Sequence, residues 1–215
     1  MSLWSLLLTG NMINKQFAFY DVTTKYDIFD NDTFMLNNTG FYATVTSLET
    51  GQPVYFEIQD VMEQMEMLRA SSAIPLVSKP VVIEGKPYLD GGISDSIPVL
   101  KAKELGYDKL IVVLTRPEGY QKEPFSERMK GFIRRYYKKY PRFAETMIHR
   151  PVMYNETLET VKELERNGEI YVVRPSCAIQ LKTIERHADA LQGAYDLGVD
   201  DCKKQLAGLQ AYLQQ

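Results

Sequence analysis

One stretch, residues 69–98, constrains the fold of this chain more than any other. It begins at the end of a predicted helix, because Val61, Met65 and Leu68 lie on one helical face and Pro75 stops the pattern. The helix closes in the small residues Ala-Ser-Ser-Ala, which pack tightly. The stretch therefore predicts a helix that ends against whatever follows it.

The same stretch then becomes extended. Pro80–Ile83 and Pro87–Leu89 are strand-like segments joined by Glu-Gly-Lys, which predicts a hairpin with glycine at the tight position. The second strand runs directly into Asp90, Gly91 and Gly92. Two glycines after a strand allow positive φ and the close approach of another backbone. The pattern predicts that Asp90 lies at a strand tip beside something that needs room.

These residues resemble the second half of the signature of the patatin-like phospholipases: Ala-Ser-Ser-Ala-Ile-Pro, then Tyr-Leu-Asp-Gly-Gly, then a small or polar run ending in proline. In that family the aspartate is the base of a Ser-Asp dyad, and the resemblance assigns this role to Asp90. The family's nucleophile lies upstream in Gly-x-Ser-x-Gly, a motif absent from the 215 residues, and nothing before Gly40 is glycine-rich. The resemblance therefore implies that residues 1–215 are the C-terminal portion of a single patatin-like domain.

Four nearby serines are weak candidates for the missing nucleophile. Ser71 and Ser72 lack the flanking glycines of a nucleophile turn, so packing or support of the site is the favoured interpretation. Ser94 and Ser96 are too close to Asp90 along the chain and are expected, with Asp95, to cap the next helix. Without the wider motif, Asp90 itself would be interpreted as a turn residue at a hairpin exit.

The remaining strand patterns predict an α/β fold. Alternation over Phe41–Leu48 and a return over Pro53–Phe56 predict a strand pair, and Lys109–Leu114 and Ile170–Val173 are apolar throughout. Such runs are typical of parallel strands covered on both faces. We expect a three-layer α/β/α sandwich around a mostly parallel sheet whose N-terminal strands are missing. The missing half of the domain, or a second copy of the chain, would then cover the open sheet edge.

Two helices are predicted to close the chain. The first has Thr183 as its N-cap, an apolar face that begins at Ile184, and Gly198 after its end. The second contains Cys202 and Leu213 on one face. We find no repeat and no second domain.

A basic helix is predicted at residues 126–140, with Ser126 as its cap and Pro141 as its limit. Its apolar residues recur at helical spacing: Met129, Phe132, Ile133, Tyr136, Tyr137 and Tyr140. The basic residues on the other side are Arg128, Lys130, Arg134, Arg135, Lys138 and Lys139, followed by Arg142. The pattern favours either a helix at an anionic membrane surface or a helix that packs its aromatic residues on the sheet and leaves its charges in water.

Composition excludes several classes of function. A net charge of −3 and a pI near 5.5 argue against a nucleic-acid partner. Cys177 and Cys202 have no metal spacing and are expected to be buried and inert, and two histidines, His149 and His187, cannot supply a zinc site. The aspartates near Asp30 lack the glycine and distal glutamate of a calcium loop. We expect neither a metal nor an organic cofactor.

The N-terminal apolar run, which includes Trp4, Leu7 and Leu8, lacks a basic region and is too short to span a bilayer. It predicts neither a signal peptide nor an anchor, and a cytoplasmic location with peripheral membrane contact is expected. These apolar side chains are expected to pack against elements that precede the sequence.

By resemblance, the intact protein is a serine acyl hydrolase that cleaves phospholipid or acylglycerol esters, with Asp90 as the base. The chain by itself is predicted to be inactive, because the serine is not in it. The alternative is a non-catalytic fragment or a module that binds lipid surfaces.

Overall fold

A computed structural model describes residues 10–11, 14–181, 185 and 187–215. The interpretations that involve Trp4, Leu7, Leu8, Thr183 and Ile184 lie outside these residues. The helices in chain order are a π-helical segment, Gln16–Tyr26, then α1 Asn31–Leu36, α2 Met65–Ser71, α3 Val99–Glu104, α4 Glu127–Tyr136, α5 Pro141–Arg166 and α6 Ala188–Gln214. The strands are β1 Tyr42–Ser47, β2 Pro53–Glu57, β3 Val81–Ile83, β4 Lys86–Asp90, β5 Leu110–Val113 and β6 Ile170–Val173.

The chain forms two compact units. The first is built from the described residues up to 97 together with 124–151, and the second from 98–123 together with the described residues from 152 onward. The assignment of residues 1–215 to a single domain stays a prediction.

The sheet of the first unit has the strand order β2-β1-β4-β3, and every neighbouring pair is antiparallel. The prediction of α/β structure is confirmed, but the prediction of a mostly parallel sheet is wrong here. Two short hairpins, β1–β2 and β3–β4, make up this sheet, and a hairpin joins antiparallel strands. The centre of the sheet is the pairing of β1 with β4, which aligns Val45 with Asp90.

The β3–β4 hairpin forms as predicted. Ile83 pairs with Lys86, which leaves Glu84 and Gly85 as a two-residue turn. Both turn residues have positive φ, 50° and 79°, as expected of a turn whose twist matches that of the strands. Gly51, at φ 70°, turns β1 into β2 in a similar way.

The core of the first unit lies between this sheet and the helices α4 and α5. Val45 and Leu89 of the two central strands are fully buried, as are Ile133 of α4 and Phe143 of α5. Tyr137 packs its ring against Phe143 with the ring centroids 4.8 Å apart. Helices that follow residue 123 therefore complete the core that the strands begin.

Helix α4 is shorter than predicted, and α5 was not predicted. Ser126 caps α4 by accepting a hydrogen bond from the Met129 N–H at 3.3 Å, but the helix ends at Tyr136. Pro141 begins α5 instead of only limiting the previous helix, because proline is well suited to the first turn of a helix. Pro151 lies inside α5, where proline removes one backbone donor and usually weakens the sequence signal of a helix.

The second unit contains β5 and β6, which pair in parallel as predicted. The Leu110 N–H donates to the Tyr212 hydroxyl at 3.0 Å, and this hydroxyl donates to the Glu169 carbonyl at 3.0 Å. The Tyr212 hydroxyl of α6 thus links the first residue of β5 to the residue that precedes β6. Only one face of β5 is covered, since Val112 is buried while Ile111 and Val113 are 44% and 70% exposed.

The expectation that β5 is covered on both faces is therefore wrong for this chain, because the face that carries Ile111 and Val113 is exposed. Among the described residues, its sheet has two strands. That a further segment or a second copy covers the open edge stays a prediction.

Two other expectations are also wrong. Helix α6 continues through Gly198 as one helix, since an isolated glycine costs about 1 kcal/mol and no proline follows. Cys177 and Cys202 are exposed, not buried.

Tyr137 offers a test of this packing. Its hydroxyl accepts a hydrogen bond from the Leu76 N–H at 3.0 Å, and Leu76 has a positive φ of 71° that leucine rarely adopts. Burial raises the pKa of Tyr137 to about 12. We expect Tyr137→Phe to lower the free energy of unfolding by about 1–3 kcal/mol, because the Leu76 N–H loses its partner.

Urea denaturation monitored by circular dichroism measures this effect. The matched control is Tyr136→Phe, which removes a hydroxyl from a side chain that is 55% exposed and should stay within about 0.5 kcal/mol of the wild type. Equal losses in the two variants would contradict the role given to the Tyr137 hydroxyl.

Candidate functional site

Asp90 is the last residue of β4, at the strand tip that the sequence predicted. Its backbone N–H donates to the Ala73 carbonyl at 3.1 Å, and Ala73 follows the end of α2. Its side-chain Oδ1 accepts a hydrogen bond from the Gly92 N–H at 2.7 Å. The Ala-Ser-Ser-Ala block and the Asp-Gly-Gly turn, separated in sequence, are therefore in direct contact.

The two glycines have different roles from those expected. A Cβ atom at Gly91 would lie far inside the van der Waals radius of the Thr44 carbonyl, so the predicted close approach of a backbone is confirmed. Neither Gly91 nor Gly92 uses the positive φ that glycine allows. The chain continues from Asp90 into a 3₁₀ turn, Gly91–Ile93, and glycine is needed there for space.

Thr46 of β1 binds the backbone carbonyl of Asp90. Its hydroxyl donates to the Asp90 carbonyl at 2.8 Å and lies 2.8 Å from the Ser94 Oγ, which is also buried. Because the Thr46 hydroxyl donates its proton to the Asp90 carbonyl, the Ser94 hydroxyl must be the donor in its hydrogen bond with Thr46. Sequence reasoning missed Thr46, since a threonine in a strand carries no signal beyond its β-propensity.

The residues expected to cap the next helix face the site instead. Asp95 accepts a hydrogen bond from the Tyr55 hydroxyl at 2.5 Å, and the Ser96 hydroxyl donates to the Gly92 carbonyl at 2.6 Å. Helix α3 has Pro98 at its N-cap and no side-chain capping bond. The capping prediction for Ser94, Asp95 and Ser96 is therefore wrong, because these side chains have partners within the sheet and the turn.

Arg150 of α5 reaches the same turn. Its Nε donates to the Gly92 carbonyl at 2.5 Å, and the side chain is half-buried. Burial raises the pKa of Asp90, whereas the Gly92 N–H and the Arg150 guanidinium lower it. The sequence gave no signal for Arg150, because its contact with Gly92 spans 58 residues.

None of the candidate serines meets the carboxyl of Asp90. The Ser72 hydroxyl is exposed and donates to the Leu68 carbonyl at 3.0 Å, back along its own helix. Ser71 is the last residue of α2 and is half-buried. Among the residues that the structure describes, no serine or threonine hydroxyl is hydrogen-bonded to the Asp90 carboxyl. Asp90 is a half-buried carboxylate whose own partner is a backbone N–H.

An apolar cavity of about 660 Å³ opens elsewhere in the first unit. Its wall is formed mainly by aromatic and aliphatic side chains, among them Phe19, Phe34, Phe41, Met65 and Leu68. Phe41 directly precedes β1, and Val45 of β1 is the residue that pairs with Asp90. Because a strand rises about 3.3 Å per residue, only a short length of backbone separates Phe41, on the cavity wall, from Val45, which pairs with Asp90.

The six predicted membrane-facing cations of the basic helix differ in their surroundings. Lys130 pairs with Glu127 at 2.7 Å, and Arg134 pairs with Glu145 at 2.7 Å. Lys139 lies 5.3 Å from the centre of the Tyr140 ring. Arg128, Arg135 and Lys138 are exposed and form no ion pair with a described residue.

The apolar side chains of the basic helix differ in how far they are buried. Ile133 and Tyr137 are buried in the core, but Met129, Phe132 and Tyr136 are 40%, 48% and 55% exposed. Of the two alternatives for this helix, packing of the aromatic residues on the sheet therefore holds only in part, since Tyr137 is buried while Phe132 and Tyr136 are exposed. Apolar and cationic side chains share the outer surface of α4.

Within the described part of the chain, no group of three or more histidine, cysteine, aspartate or glutamate side chains is arranged to hold a metal ion. Asp30 instead caps α1 by accepting from the Thr33 N–H at 3.0 Å. His149 and His187 are both exposed, and His187 contacts Glu185 at 2.7 Å. No helix among the described residues is both long and apolar enough to cross a bilayer.

An aspartate at a strand tip, followed by two glycines and held by an Ala-Ser-Ser-Ala helix end, is the arrangement expected of patatin-like proteins. Residues 7–103 match the patatin-like phospholipase family, so this part of the chain is similar to that family. Residues 140–214 match a second family, described as a domain of unknown function (DUF6363).

The chain is also similar to the uncharacterized protein YjjU of Escherichia coli strain K12. The two are 28% identical over 160 residues, which is 74% of this chain and 44% of the relative. The chain thus matches less than half of the length of this relative.

Asp90→Asn should raise the free energy of unfolding at neutral pH. Because the folded pKa of Asp90 is raised by burial, the folded state binds the proton more tightly than the unfolded chain does. Stability of the wild type therefore falls as pH rises from the unfolded pKa, near 3.8, through the raised folded pKa. Asparagine does not titrate, and its side-chain oxygen still accepts a hydrogen bond from the Gly92 N–H. The difference in free energy of unfolding between Asp90→Asn and the wild type should therefore grow across this pH range and then level off.

Urea denaturation at a series of pH values measures the difference between the wild type and Asp90→Asn. Asp108→Asn, which makes the same substitution at an exposed position, serves as the control. A difference that stays constant or shrinks as pH rises would show that Asp90 is not a carboxyl with a raised pKa.

Proposed function

We propose that this chain supplies the general base, Asp90, of a serine acyl hydrolase that acts on lipid esters. The observation that carries the proposal is the Asp90 carboxyl itself, half-buried at a strand tip with one hydrogen bond from a backbone N–H. A carboxyl so placed has room to accept a proton from an incoming hydroxyl. The nucleophile belongs to a segment outside the 215 residues, since the chain has no Gly-x-Ser-x-Gly turn.

The chemistry of the carboxyl supports this role. An aspartate with an ordinary pKa is a weak base, and burial raises the pKa of Asp90 toward the range in which proton transfer is efficient. The Gly92 N–H orients one oxygen of the carboxylate, which leaves the other for the proton. The serine oxygen would attack the ester carbonyl as its proton passes to Asp90, and Asp90 would return that proton to the departing alcohol. Water would then hydrolyse the acyl-enzyme to release the carboxylic acid and restore the serine.

The apolar cavity supports a lipid substrate. Its volume, about 660 Å³, falls within the range of ligand pockets, and its phenylalanine and methionine side chains would favour an acyl chain over a polar group. The name of the matched family, patatin-like phospholipase, is consistent with this substrate class.

Hydrolysis of p-nitrophenyl butyrate tests the proposal. The 215-residue chain alone should show no activity that depends on Asp90. When the chain is expressed in frame with the coding sequence upstream of Met1, we expect hydrolysis that falls at least about 100-fold in Asp90→Asn, because a general base contributes about 10²–10⁴-fold.

Asp108→Asn in the same longer protein is the matched control and should keep full activity. Activity of the 215-residue chain alone that Asp90→Asn abolishes would place the nucleophile inside the chain. Activity of the longer protein that survives Asp90→Asn would remove the catalytic role of Asp90.

A second function, attachment to an anionic membrane, is favoured by the outer surface of α4. Phe132 and Tyr136 are exposed beside Arg128 and Arg135, which have no acidic partner among the described residues. Aromatic side chains insert at the headgroup level while cations are attracted to anionic lipids, so this surface combines both requirements. It would hold the site near its substrate.

Sedimentation with vesicles tests membrane attachment. We expect the protein to bind vesicles that contain phosphatidylserine more tightly than neutral vesicles, and Arg128→Gln/Arg135→Gln to weaken this binding roughly 30-fold, at about 1 kcal/mol per cation. The control is Lys86→Gln/Lys203→Gln, which removes the same charge from two exposed positions elsewhere. Equal binding to both vesicle types, or equal weakening in both double variants, would rule out attachment through α4.

A further inference from the structure

Arg150 reaches the Asp90 turn from a part of the chain outside the patatin-like match. Asp90 lies in the segment 7–103, whereas Arg150 lies in the segment 140–214 that matches the domain of unknown function. Both residues belong to the first compact unit. The contact therefore joins the candidate base to a segment with no assigned role.

Arg150 makes this contact with the backbone of Gly92. The Arg150 Nε donates to the Gly92 carbonyl at 2.5 Å, and a Cβ atom at Gly92 would lie 3.8 Å from the Arg150 Nη2. The same Cβ atom would lie 3.1 Å from the Asp90 Oδ1, closer than side chains normally approach. The absence of a side chain at Gly92 thus avoids a close contact with the Asp90 carboxylate, whereas the Arg150 guanidinium would be in ordinary contact with a Cβ atom there.

The guanidinium stands near the carboxyl without pairing with it. The Arg150 and Asp90 side chains form no ion pair within 4.0 Å, although the positive charge lowers the pKa of Asp90. A bidentate arginine–carboxylate pair would occupy the oxygens that a base needs free. At the observed position, Arg150 favours the ionised carboxylate in a desolvated place and leaves its oxygens open.

Few other charges act on Asp90. Strand β1 presents Thr44, Val45 and Thr46 to it, none of which titrates. The last turn of α2 carries Arg69, whose guanidinium pairs with Glu66 of the same helix at 2.5 Å. Asp95 follows on the same loop, and its carboxylate is engaged by the Tyr55 hydroxyl of β2. Arg150 is the charged group that lowers the pKa of Asp90.

We infer that Arg150 is a positioning residue for Asp90: it fixes the Gly91-Gly92 turn through the Gly92 carbonyl and places a positive charge near the carboxyl without pairing with it. This role gains catalytic meaning only if the proposed hydrolase function holds, but the structural part can be tested without it. It also assigns a task to the segment that matches the domain of unknown function, which is to complete the patatin-like site.

Carbon-13 NMR titration of the Asp90 carboxyl in the 215-residue chain tests the inference, with Asp90→Asn identifying the resonance. We expect Arg150→Gln to shift the titration midpoint of Asp90 upward. Arg150→Lys keeps the charge but loses the guanidinium fork, so its upward shift should be smaller. Arg142→Gln, which removes an exposed arginine from the same helix, should leave the midpoint unchanged.

An unchanged midpoint in Arg150→Gln, or an equal shift in Arg142→Gln, would overturn the inference. If Arg150→Gln does not fold, the comparison of Arg150→Lys with Arg142→Lys decides it: an upward shift confined to Arg150→Lys supports the role, and its absence refutes it. The readout needs no enzymatic activity. Failure of the hydrolase proposal would appear only in the ester assay, so the two results remain separable.

Discussion

The close approach of Gly91 to the Thr44 carbonyl is the contact on which the rest of the first unit depends. It brings the tip of β4 against β1, so that the two hairpins share one antiparallel sheet. The same approach places the Asp90 N–H on the Ala73 carbonyl and the Asp90 carbonyl on the Thr46 hydroxyl. A side chain at position 91 would separate the strands and remove these bonds together.

Asp90 is thereby held by its backbone, and its carboxyl remains open. Desolvation favours the protonated form, while one N–H and one distant guanidinium favour the carboxylate. Such a balance suits a residue that must accept a proton and release it later. It also costs stability at neutral pH, which is common at sites where a charge is kept partly dry.

The sequence predicted the local features of this site well. The Glu84-Gly85 turn, the strand β4 and the position of Asp90 depend on residues that are neighbours along the chain. Apolar runs likewise predicted β5, β6 and their parallel pairing. The predictions failed where proline signals were ambiguous, because Pro141 begins α5 and Pro151 lies within it. The sheet order was also missed, since the pairing of β1 with β4 joins residues more than 40 positions apart.

By itself, the sequence determined a strand that ends in Asp-Gly-Gly, the helix end that precedes it, and a basic helix with an aromatic face. These follow from periodicity and from the backbone preferences of glycine and proline, which act over a few residues. Only the tertiary structure decided that Thr46 and Arg150 surround Asp90, and that Phe132 and Tyr136 face outward while Ile133 and Tyr137 face the core. Which distant group lies beside a carboxyl, and which side of a helix is covered, depend on how the elements pack, and no local pattern in the chain encodes that.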